Sequence, residues 1–165
     1  MRWRSAVLPW LLALACMPAA AVEEQELKAA IVFNLLLFVE WPADVLPPGA
    51  TSLGLCVGRA SPLQPALKSL EGRIVRSLRL DVRELPASGT PCHAAVLDDA
   101  AAVPTRIAPG LLLIADGDAA PAAVAAVVLH RAGTRVVFDV NLGVARQARL
   151  QLSSKLLRLA RTVTE

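Results

Sequence analysis

The stretch LGLCVGRASPLQPALKSLEG, residues 53–72, decides the fold class. LGLCVG (53–58) is a short apolar run of strand length, and Gly58 frees the chain to turn. SPLQPALKSLEG follows, with Ser61 as a candidate helix cap and Pro62 at the first helical position. Strand, glycine turn and proline-started helix are the opening of an α/β unit.

The same grammar continues downstream. In RIVRSLRLDVREL (73–85), Leu78, Leu80 and Val82 alternate with Arg79, Asp81 and Arg83, the period of a strand with one wet face. PASGTP (86–91) reads as a turn and CHAAVLD (92–98) as a buried strand ending in Asp98 and Asp99. LLLIAD (111–116) suits a central parallel strand. The alanine-rich APAAVAAVVLHRA, ending at Ala132, predicts a helix. RVVFDVN (135–141) predicts a strand, with Asn141 capping LGVARQA. LSSKLLRLARTV (152–163) predicts an amphipathic helix with Ser153 and Ser154 at its cap. The expectation is an α/β fold in a single layered domain, its sheet mostly parallel or mixed and flanked by helices.

Upstream, Arg2 and Arg4 precede the apolar AVLPWLLALA (6–15), and small residues AAA (19–21) follow. This is the pattern of a signal peptide cleaved after Ala21. It divides the chain into a leader, 1–21, and a domain, 22–165. A lipoprotein signal ending at Cys16 is the rival reading, weakened by Ala13 three residues before it. Arg2 and Arg4 are two of the 17 basic residues, so the domain holds 15 against 14 acidic ones. The whole-chain pI of 9.1 is therefore poor evidence for nucleic-acid binding. Only Phe33, Phe38, Trp41 and Phe138 remain as aromatics, too few for a base-stacking platform. Of three cysteines, Cys16 leaves with the leader. Cys56 and Cys92 remain, and in an oxidising compartment such a pair is expected to bridge. Metal binding by the two with His93 is the alternative, but no C-x-x-C or H-x-x-x-H spacing supports it.

Residues 23–40 predict the first helix, with Glu23, Glu24 and Glu26 in its opening turn. One face carries Leu27, Ala30, Ile31, Asn34, Leu35 and Phe38. The other carries Ala29, Val32, Phe33, Leu36 and Leu37, so the helix is apolar nearly all round. Pro42 is expected to end it. Phe33, Leu36, Leu37, Glu40, Trp41 and Pro42 are candidates for partner binding or dimerisation. A plug in the core or hinge is the plainer role for Trp41.

Chemistry is harder to find. Asp98, Asp99, Asp116 and Asp118 stand at strand ends, where open α/β sheets bind ligands. No partner at a fixed spacing completes a phosphoryl-transfer, metal or hydrolase motif around them. His93 and His130 lack partners at ligand spacing, and there is no G-x-S-x-G elbow. The residues thus indicate an exported domain with no catalytic or metal-ligating set and no cofactor motif. Arg79, Arg83, Asp98 and Asp116 are the candidates for lining a small-ligand pocket.

ELKAAIVFNLLLFVEWP, LGLCVG, PCHAAVLD, LLLIAD and RVVFDVNLGVARQARLQLSSKLLRLA together, over about residues 26–160, resemble the YfiR family of small periplasmic proteins. The most specific pieces are the helix ending F-x-E-W-P and the C-terminal block. The resemblance implies regulation without catalysis: repression of an inner-membrane diguanylate cyclase through its periplasmic sensor domain, lowering cyclic di-GMP and biofilm formation. It also implies homodimers, disulfides and an outer-membrane OmpA/Pal-type lipoprotein that sequesters the repressor. Cys56 and Cys92 match one family cysteine pair; a second pair is missing. The alternatives are a periplasmic small-ligand sensor module and an accessory protein of a sensor histidine kinase.

Overall fold

The computed structural model describes residues 19–85, 91–98, 106–117 and 123–165, with side chains from Glu23 onward. The basic and apolar parts of the leader, Cys16, Asp99, Asp118 and most of the 86–91 turn lie outside the described residues. The elements are α1 (Ala19–Leu37), β1 (Val39–Glu40), β2 (Ser52–Gly58), α2 (Gln64–Lys68), β3 (Ile74–Val75), β4 (Leu78–Leu85), β5 (Ala94–Leu97), β6 (Leu112–Asp116), β7 (Val127–Ala132), β8 (Arg135–Asn141), α3 (Leu142–Gln147), β9 (Gln151–Leu152), α4 (Ser154–Leu157) and β10 (Thr162–Thr164).

Eight strands form one mixed sheet in the order β10-β8-β7-β6-β5-β2-β4-β3, while β1 and β9 pair antiparallel beside it. The middle is parallel: β2 lies between β4 and β5, followed by β6 and β7. β7 and β8 form an antiparallel hairpin, and β10 runs parallel to β8 at the edge. The apolar runs of β2, β5 and β6 are buried along their whole middles, as strands covered on both faces must be.

The two coverings differ. Ala29, Val32, Leu35 and Leu36 of α1 enter one core with Leu67 of α2, Val144 and Ala145 of α3 and Leu156 of α4. The sheet supplies Leu53, Leu55, Leu80, Ile114 and Leu129 to this core. The four helices of the described residues therefore all contribute to one core. The opposite face presents smaller groups, Cys56, Ala95, Leu97 and Leu113, against Leu85, Cys92, Leu111 and Val124. Ala115, Ala125 and Val128 extend that thin layer.

Four expectations are corrected. The first helix ends at Leu37, before Pro42 is reached. Val39 and Glu40 leave it to pair with Leu152 and Gln151, and the Arg76 Nε donates to the Leu37 carbonyl at 3.1 Å. The alanine-rich segment forms strand β7 from Val127 onward, not a helix, because Val127, Val128 and Leu129 fill a slot between β6 and β8. Tertiary burial there overrides the helical preference of alanine. The expected helix over 152–163 shrinks to α4, since Thr162, Val163 and Thr164 join the sheet beside β8. Its Ser153 cap holds, accepting from the Leu156 N–H. α2 starts at Gln64 and carries Pro65 in its first turn; Ser61 Oγ accepts from the Leu63 N–H instead of capping a helix at Pro62. Asn141 caps α3 as its side chain suggests, accepting from the Val144 N–H at 3.0 Å.

Leu36 is fully buried in the helix-side core. Leu36→Ala should cost about 2–5 kcal/mol of unfolding free energy in urea titrations. A loss below about 0.5 kcal/mol, the size of an ordinary surface change, would contradict that placement.

Candidate protein-binding surface

The described residues make two things near the C-terminal end of α1: a rigid hub inside and an apolar ridge outside. The hub is built on Cys92 and His93. Cys92 is bridged to Cys56 of β2, with Cα atoms 5.7 Å apart, inside the ordinary disulfide range. The His93 N–H donates to the Gly54 carbonyl, and the Gly54 N–H donates back to His93 Nδ1, both at 2.9 Å. A Cβ on Gly54 would stand 2.6 Å from the Pro91 carbonyl oxygen, so only glycine admits this close crossing. The His93 carbonyl accepts from the Leu112 N–H at 2.9 Å and from the Trp41 indole N–H at 3.1 Å. Trp41 is thus a plug: half-buried, packed on the core and hydrogen-bonded to the strand entrance of β5.

Burial pushes the His93 imidazole below its ordinary value. A hydrogen bond to the Val45 backbone opposes this, and the Arg83 charge adds to it. Nδ1 can accept from Gly54 only while it carries no proton. In the metal reading with His93, Cys56 and Cys92 offer no thiolates, because their sulfurs are joined to each other.

The side chains of α1 differ in exposure. Leu36 is buried, while Phe33 and Leu37 are half-buried and pack on the core. Phe33 also lies beneath the Arg73 guanidinium, 4.5 Å from the ring centre. Glu40 is exposed and faces Arg76 at 3.7 Å. The outer face carries Leu27, Ile31, Asn34 and Phe38 at spacings of one and two turns. Ile31, Asn34 and Phe38 line a shallow cavity of about 120 Å³ with Phe138, Leu156 and Leu159. Leu159 is 67% exposed and Leu27 43% exposed, among the most exposed large apolar side chains of the described residues. Of the six partner candidates, Leu36 is inaccessible, while Phe33 and Leu37 are half-buried, as are Ile31 and Phe38 on the face that carries the exposed Leu27.

The four ligand candidates are spread apart. Asp116 is bound to Lys28 of α1 at 2.8 Å, and Lys28 also pairs with Glu24 at 2.9 Å. Burial works against the Lys28 charge, but Asp116 and Glu24 outweigh it and raise the ammonium above its ordinary value. Arg131 holds Glu24 from the side of β7. Arg83 pairs with Asp81 and lines a cavity of about 340 Å³ with Val57, Gln64, Lys68, Val82 and Glu84. Arg79 is exposed on β4, and Asp98 follows β5. Among the described residues no group of three or more His, Cys, Asp or Glu is placed to hold a metal.

Sequence reasoning missed the Lys28–Asp116 tie, which joins residues remote in the chain and leaves no local signal. It also missed Leu159 as a surface residue, although Leu27, Ile31, Asn34 and Phe38 already fell on one helical face. Lys28→Met should cost about 3–5 kcal/mol, because it leaves the Asp116 carboxylate buried without its cation. Asp116→Asn in the same chain should recover part of that loss in a double-mutant cycle. His93 sets a pH dependence. Unfolded, it takes up a proton near its ordinary value of 6.5; folded, only at lower pH. The unfolded chain therefore binds more protons in that window, and stability should fall as pH drops below about 6.5. The urea midpoint of the native chain should decline from pH 7.5 to 5.5, and His93→Gln should flatten that slope. Equal slopes in the two proteins would contradict it.

The sequence model of the YfiR/HmsC-like family (DUF4154) matches residues 25–161, most of the chain, and the protein belongs to that family. No curated protein matches it.

Proposed function

We propose that this YfiR/HmsC-like chain is a periplasmic regulatory protein. It binds and represses an inner-membrane signalling enzyme, a diguanylate cyclase, through that enzyme's periplasmic sensor domain. The family match over residues 25–161 is the observation that carries the reading. Residues 1–21 act as the export signal, removed after Ala21, and 22–165 form the regulatory domain. The bridged cysteines suit an oxidising compartment. Among the described residues no helix is long and apolar enough to cross a membrane.

Repression requires tighter binding to the inactive than to the active sensor conformation, because a ligand with equal affinity for both shifts nothing. The protein acts by this differential binding and not by catalysis. The surface offered for it is the outer face of α1, where Leu27 is exposed and Ile31 and Phe38 are half-buried, together with the exposed Leu159, and with Phe33, Leu37, Glu40, Trp41 and Pro42 at its end. Exposed apolar side chains grouped on one face mark interaction sites. The protein works as a homodimer, and an outer-membrane OmpA/Pal-type lipoprotein relieves repression by competing for it. A small-ligand module based on Arg79, Arg83, Asp98 and Asp116 is the weaker reading, because Asp116 is already paired with buried Lys28.

Deleting the gene should raise cyclic di-GMP and surface adhesion, and the wild-type gene should restore both. Leu159→Glu should be exported at normal levels yet fail to restore them, with sensor-domain affinity weakened by about 30-fold, the roughly 2 kcal/mol of an interface hot spot. Unchanged cyclic di-GMP on deletion would remove the cyclase as partner. Altered output of a sensor kinase in the same strain would put a kinase in its place.

A further inference from the structure

The turn built on α4 carries a charge imbalance. Ser153 caps it, and the turn continues past Leu157: the Arg158 N–H donates to the Ser154 carbonyl at 3.2 Å and the Leu159 N–H to the Leu156 carbonyl at 2.9 Å. Leu156 is buried in the core, which fixes the rotation of the turn. Residues three and four apart on a helical turn are neighbours, so Lys155, Arg158 and Leu159 share its outer side. All three are exposed, and Leu159, at 67%, is the most exposed large apolar side chain of the described residues.

Elsewhere the chain answers many of its exposed cations with its own carboxylates. Arg59 has Glu84 at 2.9 Å, Arg131 has Glu24 at 2.9 Å and Arg149 has Asp44 at 2.8 Å. Asp139 of β8 and the terminal Glu165 are likewise taken up, by Arg161 and Arg146. Lys155 and Arg158 have no salt-bridge partner among the described residues. Like charges on one turn repel, and four residues align too few peptide dipoles to offset that by much. Beside Leu159 lies the cavity of about 120 Å³ that it lines with Ile31, Asn34, Phe38 and Phe138. A protruding leucine next to a recess is relief that a folded partner can match by shape, whereas a fluid lipid surface does not read it.

From the two unanswered cations flanking this anchor we infer that the sensor-domain surface met here is acidic, with carboxylates set around an apolar contact, and that Lys155 and Arg158 steer the two proteins together. The inference rests on the regulatory reading above and adds the chemistry of the partner's face. Ion pairs at the exposed rim of an interface contribute little to final affinity, because water and salt screen them. Their effect is on encounter: opposite potentials speed association by about 10-fold or more, and salt removes the gain. Leu159, the apolar anchor, acts on dissociation instead.

The test mixes the exported chain, its Cys56–Cys92 bridge intact, with the purified periplasmic sensor domain of the cyclase and follows binding in time at low and at high salt. The native chain should associate fastest at low salt. The paired variant Lys155→Gln with Arg158→Gln should associate about 10-fold more slowly there, with an unchanged dissociation rate and a flattened salt dependence. Both side chains are exposed, so its urea midpoint should match the native one. Lys155→Arg with Arg158→Lys should keep the native rate, and Leu159→Ala should speed dissociation while leaving the salt dependence of association in place. A native association rate that salt does not change, or a glutamine variant that associates as fast as the native chain, overturns the acidic surface; continued repression of cyclic di-GMP then leaves the regulatory reading standing. Binding to phosphatidylglycerol vesicles that the glutamine variant loses, while its rate with the sensor domain stays native, assigns the cations to a membrane and also overturns it. Absence of association at every salt concentration, with cyclic di-GMP unchanged on deletion, overturns the inference and the regulatory reading together.

Discussion

The backbone of His93 is the point on which the described architecture turns. Its N–H goes to β2, its carbonyl receives both β6 and the Trp41 indole, and its ring closes a second bond to Gly54. One residue before it, Cys92 is covalently fixed to β2. A single hydrogen bond contributes only about 1 kcal/mol net. Together with a bridge worth roughly 4 kcal/mol in the chain-entropy model, they fix where β5 enters the sheet. The segment after α1 is pinned by the same residue, so the end of the apolar ridge is anchored to the sheet centre.

This arrangement answers a constraint of parallel sheets, which must be covered on both faces. Among the described residues, helices cover one of them. The other layer is thin, and it works because its strands present Ala95, Ala115 and the bridged Cys56 instead of bulky groups. Close approach at Gly54 belongs to the same economy of space. α1 is then left with one face buried in the helix-side core and another facing solvent, both apolar. Its N-terminal half is held by charge instead, through Asp116–Lys28–Glu24–Arg131.

The fold class was legible because strand and helix periods differ over 53–72, and because LGLCVG and LLLIAD are apolar without polar alternation. The mixed sheet was legible to the same degree. Where the reading failed, long-range pairing decided the outcome. Val127–Ala132 sits in an alanine-rich stretch that favours a helix locally, and only a place between β6 and β8 makes it a strand. Thr162–Thr164 was hidden behind a helical run whose period continued past its true end at Leu157. Val39 left α1 for a partner more than a hundred residues on, which no local rule reveals. The disulfide was legible once Cys16 was assigned to the leader and the remaining two cysteines to an oxidising compartment. The apolar faces of α1 were legible too, but not which of them the sheet would take, because both have helical spacing.

The cysteine bridge also closes off one part of the sheet from the rest. The residues between its ends contain α2, β3 and β4, and β2 carries one of the sulfurs. The parallel pair β2–β4 and its covering helix therefore form a closed loop of chain, complete before β5 appears. Once Cys92 is joined, β5 begins two residues later against the free side of β2, with little choice of register. Every later strand up to β8 is then added outward in chain order, each template offering a single open side. From β2 to β8 the sheet is thus laid down in an order the chain itself supplies, whereas β1 must wait for β9.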